Sequence, residues 1–117
     1  MTKKQLKEKI YELKKHGFQF KNFQNRRYNP YGSIGFPDLF IVTPDGWIIF
    51  VELKTDNDEP SDKQIEFRNL INDTCKYAVC VFGTRENHKR LIDTMLRKDH
   101  NNLLEAEKVV RISKVSL

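Results

Sequence analysis

The sequence predicts an α/β fold, a central mixed β-sheet flanked by helices, with elements in the order α-β-β-β-α-β-α-β. Three observations carry this expectation. An amphipathic helical run opens the chain, two β-rich runs flank a Pro44-Asp45-Gly46 turn signal, and a further helix–strand–helix alternation follows them. The hairpin stands where a regular doubly wound sheet would need a βαβ crossover, so a mixed sheet is expected.

Each element has a local reason. In residues 3–16, Leu6, Ile10 and Leu13 recur at helical spacing among lysines, and Gly17 ends the run. Residues 18–21 alternate as a short strand. Residues 25–37 are rich in Asn, Gly, Pro and Tyr and read as a loop. Residues 39–43 and 47–54 are β-rich and read as an antiparallel hairpin closed by the turn at Asp45-Gly46. Residues 55–60 are polar and acidic, hence a loop. Ser61 suits an N-cap, and the helix it opens runs to about Asn72, with Ile65, Leu70 and Ile71 expected in the core. Residues 77–82 predict a strand and 84–98 a helix carrying Leu91, Ile92, Met95 and Leu96. Residues 109–112 suit a last short strand.

Hydrophobic content of 38% against 32% charged residues predicts one polar-surfaced domain over residues 1–117. The net charge of +5 favours a polyanionic partner such as nucleic acid, although a well-solvated surface explains it equally. Cys75 and Cys80 lack nearby histidines at ligand spacing, and His16, His88 and His100 are scattered, which argues against a zinc site. No stretch is apolar and long enough to span a membrane, and no signal-peptide apolar region is evident. The expected compartment is the reducing cytoplasm.

The hairpin carries the chemistry. Glu52 and Lys54 lie two apart on one strand and so share a face, while Leu53 points to the other. Asp38 lies seven residues before Asp45 and Glu52 seven after it. A hairpin centred there brings Asp38 and Glu52 together at its open end. Two such carboxylates repel unless a cation lies between them, and a hard divalent ion prefers oxygen ligands, to which the Leu53 carbonyl would add. With Lys54 beside them, the set has what phosphodiester hydrolysis needs: an activated water, a Lewis acid and a positive charge. Each part alone is weak. Glu-x-Lys on a strand is also an ordinary surface ion pair, and Asp after Pro an ordinary turn residue.

Gly35-Phe36-Pro37-Asp38-Leu39, Val51-Glu52-Leu53-Lys54 and Ser61-Asp62-Lys63-Gln64 together resemble the PD-(D/E)xK nuclease superfamily, more narrowly its stand-alone VRR-NUC type of phages and bacteria. The resemblance implies a restriction-endonuclease-like fold, metal binding by Asp38 and Glu52, and a catalytic Lys54. It also places Gln64 in or beside the site, although Ser61 and Gln64 equally form a capping box that needs no catalysis. It further implies Mg²⁺ or Mn²⁺, a DNA substrate that includes branched forms such as Holliday junctions, a homodimer, and the cytoplasm of a bacterial cell or phage-infected host. The superfamily usually adds a glutamate from the first helix. Glu8 is the candidate here, with Glu12 one turn further along, and both also suit solvated charges. For DNA contact the loop residues Arg26, Arg27, Tyr28 and Tyr31 suit phosphates and unpaired bases. The lysines of the first helix suit a phosphate backbone or plain solvation, and Arg85, Lys89 and Arg90 form a weaker basic cluster. For a dimer, the candidate surfaces are the Tyr28–Tyr31 loop and the last helix. A DNA-binding module without catalysis is the alternative function, and a protein-interaction factor a more distant one.

Overall fold

The computed structural model describes residues 1–21 and 36–108. Helix α1, Lys3–Tyr11, opens on a capping box in which Thr2 and Gln5 exchange side-chain-to-backbone bonds. It tightens into a 3₁₀ segment at Glu12–His16, and Gly17 ends it with φ +87°, a left-handed conformation that favours glycine. Strands β1 (Gln19–Lys21), β2 (Leu39–Val42) and β3 (Ile48–Leu53) form an antiparallel meander. Helix α2, Asp62–Thr74, then crosses to β4, Ala78–Gly83, which runs parallel to β3. The sheet order is β1-β2-β3-β4. Helix α3 is His88–Leu96, and a 3₁₀ turn at His100–Asn102 leads into helix α4, Leu103–Glu107.

The fold class is therefore the mixed α/β sheet that the sequence predicts. The hairpin, α2, β4 and α3 lie where expected. The expected last strand at 109–112 lies outside the described residues. Helix α4 was not expected, because a five-residue helix offers too few positions for a periodic signal.

The core lies on one face of the sheet. Leu39, Ile41, Ile49, Val51, Leu53, Val79 and Val81 point into it and meet Leu6, Ile10 and Leu13 from the first helical segment. Leu91, Met95 and Leu103 complete it from α3 and α4. Two close approaches fix how α1 lies along the hairpin. At Gly83 an added Cβ would stand 2.9 Å from Val51 Cγ1, 3.4 Å from Leu53 Cδ2 and 3.7 Å from Ile10 Cδ1. Ile10 therefore sits at the open end of the hairpin. At Gly17 a Cβ would stand 3.4 Å from Pro44 Cγ, at the closed end. The chain from Lys3 to Gly17 thus runs from beyond the open end back to the turn. The turn itself is tied down by His100, whose buried ring bonds Asp45 through Nε2 at 2.9 Å.

Helix α2 covers the opposite face, and its sheet-directed stripe is polar. Gln64, Arg68 and Asn72, four residues apart, bond respectively to Glu52, to Glu107, and to both the N–H and the carbonyl of Cys80. Leu70, expected in the core, is 61% exposed, because it lies two residues from Arg68 and so points away from the sheet. Ile65 and Ile71 are half-buried. Phe67 joins Phe36 and Phe50, and Phe50 meets Phe40 edge-on.

The outer edge of β4 is closed by side chains. Besides the Asn72–Cys80 pair, Phe82 donates its N–H to Glu107 Oε2 at 2.6 Å, and its carbonyl accepts from Asn87 Nδ2 at 2.8 Å. Glu107 is fully buried, paired with Arg68, and its carboxyl is raised by burial despite that partner. Glu107→Ala is expected to lower unfolding stability by roughly 3 kcal/mol in urea denaturation, since it strands a guanidinium and an N–H. Glu107→Gln, which keeps an acceptor for Phe82, is expected to cost less.

Candidate active site

The pairing of Leu39 with Val51 and of Phe40 with Phe50, continued by one residue, sets Asp38 opposite Glu52. The core side chains occupy the alternate positions, so Asp38, Glu52 and Lys54 share the face that α2 covers. In an unbroken ladder Leu53 would exchange both backbone bonds with position 37. Pro37 has no N–H to give. Instead Asp38 Oδ2 accepts the Leu53 N–H at 2.9 Å. The Leu53 carbonyl faces the same side and has no ladder donor at position 37.

Glu52 is 4% exposed. Its Oε1 accepts from Gln64 Nε2 at 2.8 Å, and its Oε2 is buried with no hydrogen-bond partner among the described residues. Burial, and next the negative charge of Asp38, push the Glu52 carboxyl from 4.5 up to about 8, while the ammonium groups of Lys54 and Lys3 pull the other way. Gln64 serves both roles considered for it. Its Oε1 accepts the Ser61 N–H at 2.9 Å in the capping box, and its Nε2 reaches Glu52.

Lys54 is 8% exposed, and its Nζ donates to the Glu59 carbonyl at 3.4 Å. That bond folds the acidic loop over the open end of the hairpin. Within the loop Asp58 accepts from the Thr55 hydroxyl at 2.8 Å and the Thr55 N–H at 3.1 Å. Those two bonds hold its carboxyl below the usual range, with Lys3 and Lys54 adding to the effect.

The residues present fit a hard divalent cation. Two carboxylates converge, a buried carboxylate oxygen lacks a partner, and a backbone carbonyl faces them. Among the described residues no third His, Cys, Asp or Glu joins them to form a ligand cluster. Glu8, the expected first-helix carboxylate, is exposed and lines a surface cleft with Met1, Gln5, Lys9 and Glu12. It stands two residues from both Leu6 and Ile10, which turns it away from the core-facing stripe. Glu12 is exposed likewise. Arg26, Arg27, Tyr28 and Tyr31 lie outside the described residues. In the weaker basic cluster, Arg85 pairs with Asp56 at 3.5 Å, and Arg90 donates to the carbonyls of Ala106 and Lys108.

Sequence reasoning missed Asp58, and it reads Lys3 only among the first-helix lysines suited to a phosphate backbone, not as a neighbour of the carboxylates. Asp58 had a usable signal in the Thr55-x-x-Asp58 spacing, which suits a side-chain-bonded turn. Lys3 had one in its spacing of three and seven residues from Leu6 and Ile10.

An acidic pair and a lysine at the open end of a sheet hairpin, on a mixed sheet between helices, define a domain of the PD-(D/E)xK nuclease superfamily. Residues 1–81 match the VRR-NUC domain, and the chain belongs to that family. A solved structure described as a VRR_NUC domain superposes with a TM-score of 0.52 at 25% identity, covering 80% of this chain and 97% of the other. No curated protein matches the chain. Among the described residues no helix is long and apolar enough to cross a membrane.

The raised Glu52 carboxyl has a consequence for stability. Without metal, folding takes up a proton at Glu52 between pH 4.5 and about 8, so stability falls across that window as pH rises, by at most about 1.4 kcal/mol per pH unit. In EDTA the melting temperature of the wild type is expected to fall more steeply from pH 5 to 8 than that of Glu52→Gln. Saturating Mg²⁺ or Mn²⁺ is expected to narrow the difference, because an ion bound between the carboxylates favours the ionised form.

Proposed function

We propose that this VRR-NUC domain is a metal-dependent endonuclease that hydrolyses DNA phosphodiester bonds. The observation that carries the reading is the juxtaposition of Asp38 with Glu52 across the hairpin, with a buried unpartnered oxygen on Glu52 and Lys54 two residues on. Asp38, Glu52 and the Leu53 carbonyl would hold Mg²⁺ or Mn²⁺. When bound, such an ion supplies Lewis acidity and makes water a better nucleophile at neutral pH.

The remaining work falls to the chain itself. Asp38 keeps one oxygen on the Leu53 N–H and so holds the other in a fixed direction. Gln64 fixes the rotamer of Glu52 and leaves Oε2 directed into the site. Lys54, held by Glu59, offers its remaining protons to a water or a phosphate oxygen. DNA as the substrate is supported by the family and by the net charge of +5. Branched DNA and a homodimer belong to the same reading, since a two-fold protein matches a two-fold junction. The cytoplasm of a bacterial cell or phage-infected host is the setting.

A second reading, a DNA-binding module on the same fold without catalysis, is favoured by one observation: among the described residues only two carboxylates meet at the site. Cleavage assays with flap, fork, four-way and linear DNA in Mn²⁺ or Mg²⁺ separate the two. Metal-dependent cleavage of at least one form is expected, abolished by Asp38→Ala and lowered about a hundredfold or more by Lys54→Ala. Salt-sensitive binding without any cleavage, unchanged by Lys54→Ala, would establish the second reading instead.

A further inference from the structure

The open end of the hairpin is a difficult place for a nucleic acid. Asp38, Glu52, Asp58 and the Glu59 backbone oxygen face it, and Lys54 is buried and already bonded to Glu59. A phosphate approaching this end meets mostly negative groups before it meets Lys54. Among the described residues, the exposed Arg85 at this end is paired with Asp56, and the first helix brings a further exposed cation that forms no ion pair.

Its position follows from how α1 is laid on the sheet. Ile10 rests against the last rung of the hairpin at Leu53 and Gly83, and Gly17 against the turn at Pro44. Lys3 lies seven residues, or about 10 Å along the helix axis, on the N-terminal side of Ile10. It therefore projects past the end of the sheet. It also lies on the stripe of Leu6 and Ile10, both fully buried, so it leans toward the sheet and not outward like Glu8. Its positive charge favours the ionised forms of both Glu52 and Asp58, one on the strand and one on the loop. The first turn of α1 carries no acidic residue to neutralise it.

We propose that Lys3 is a phosphate-binding residue of the active site, holding a phosphate of the bound DNA strand at the open end of the hairpin, where the first helix offers a lysine and no glutamate. This rests on the nuclease reading for the identity of the substrate, but its physical content is a direct contact between Lys3 and a DNA phosphate. Lys3 is exposed and among the described residues has no hydrogen bond to give up, so binding costs it chiefly side-chain freedom. Lys15 is the natural comparison. It carries the same charge on the same helical segment, but at the closed end of the hairpin.

The test is equilibrium binding of a fluorescent four-way DNA junction and a linear duplex, in EDTA, across a salt series, followed by cleavage of the same DNA in Mn²⁺. Lys3→Gln is expected to weaken metal-free binding about three- to tenfold and to reduce the salt slope by about one unit, with Lys3→Arg restoring both. Lys15→Gln is expected to leave the slope unchanged. In Mn²⁺, Lys3→Gln is expected to lower cleavage about tenfold. If the wild type binds but does not cleave, and Lys3→Gln still loses the slope, the nuclease reading fails and the Lys3 contact stands. An unchanged slope in Lys3→Gln overturns the contact whether or not the protein cleaves. So does an equal loss in Lys15→Gln, or an absence of metal-free binding by the wild type.

Discussion

Asp38 and Glu52 are pressed together against their own repulsion, and the force that does this acts on the other side of the sheet. Leu39, Ile41, Ile49, Val51 and Leu53 bury their side chains in the core and so fix which residues of β2 and β3 face each other. A slip of one residue would turn every one of those side chains out to the second face. The apolar face thereby sets the register, and the register sets the carboxylates opposite each other. Pro37 then ends the ladder at the one place where a continued strand would have occupied the Leu53 carbonyl. Ionising Glu52 beside Asp38 works against the fold, so the core carries a load that the site creates.

Helix α2 adds a second constraint of a different kind. Its sheet-facing stripe gains little from apolar burial, since none of its residues is fully buried. It is located instead by directional bonds: Gln64 to Glu52, Arg68 to Glu107, and Asn72 to both sides of Cys80. A polar network against a sheet is stable only when its members are satisfied, and among the described members only Glu52 Oε2 lacks a partner. The gain is positional. The amide that caps the helix is the amide that holds the Glu52 carboxyl, so the helix start and the Glu52 rotamer cannot shift independently.

The hairpin and its chemistry were legible in the sequence because they depend on local spacing. Asp38 and Glu52 are equidistant from Asp45, and the pairing of the strands follows from that symmetry. Gln64 was legible through its offset from Ser61. The first helix was legible as an element but not as a neighbour of the site. Periodicity shows which stripe faces inward, yet the direction in which the helix lies on the sheet depends on the packing of Ile10 at Gly83 and of Gly17 at Pro44. That packing turns Glu8 outward and carries Lys3, on the inward stripe, toward the open end of the hairpin. Leu70, expected in the core, points to solvent because the stripe of α2 that faces the sheet is polar. Arg68 and Glu107, 39 residues apart, had no local signal at all.

The sealed margin of β4 bears on how copies of this protein can associate. Sheet-to-sheet growth into a filament requires each subunit to offer two free strand margins, one to accept and one to extend. Here Asn72, Asn87 and Glu107 occupy the backbone groups of one margin from within the same chain. Among the described strands only β1 is left as a margin, and it is three residues long. Pairing through β1 would consume the one margin left among the described strands of each partner and terminate at two copies. Among the described strands, the side chains that organise the far side of the sheet therefore also leave one margin and not two for edge-to-edge pairing.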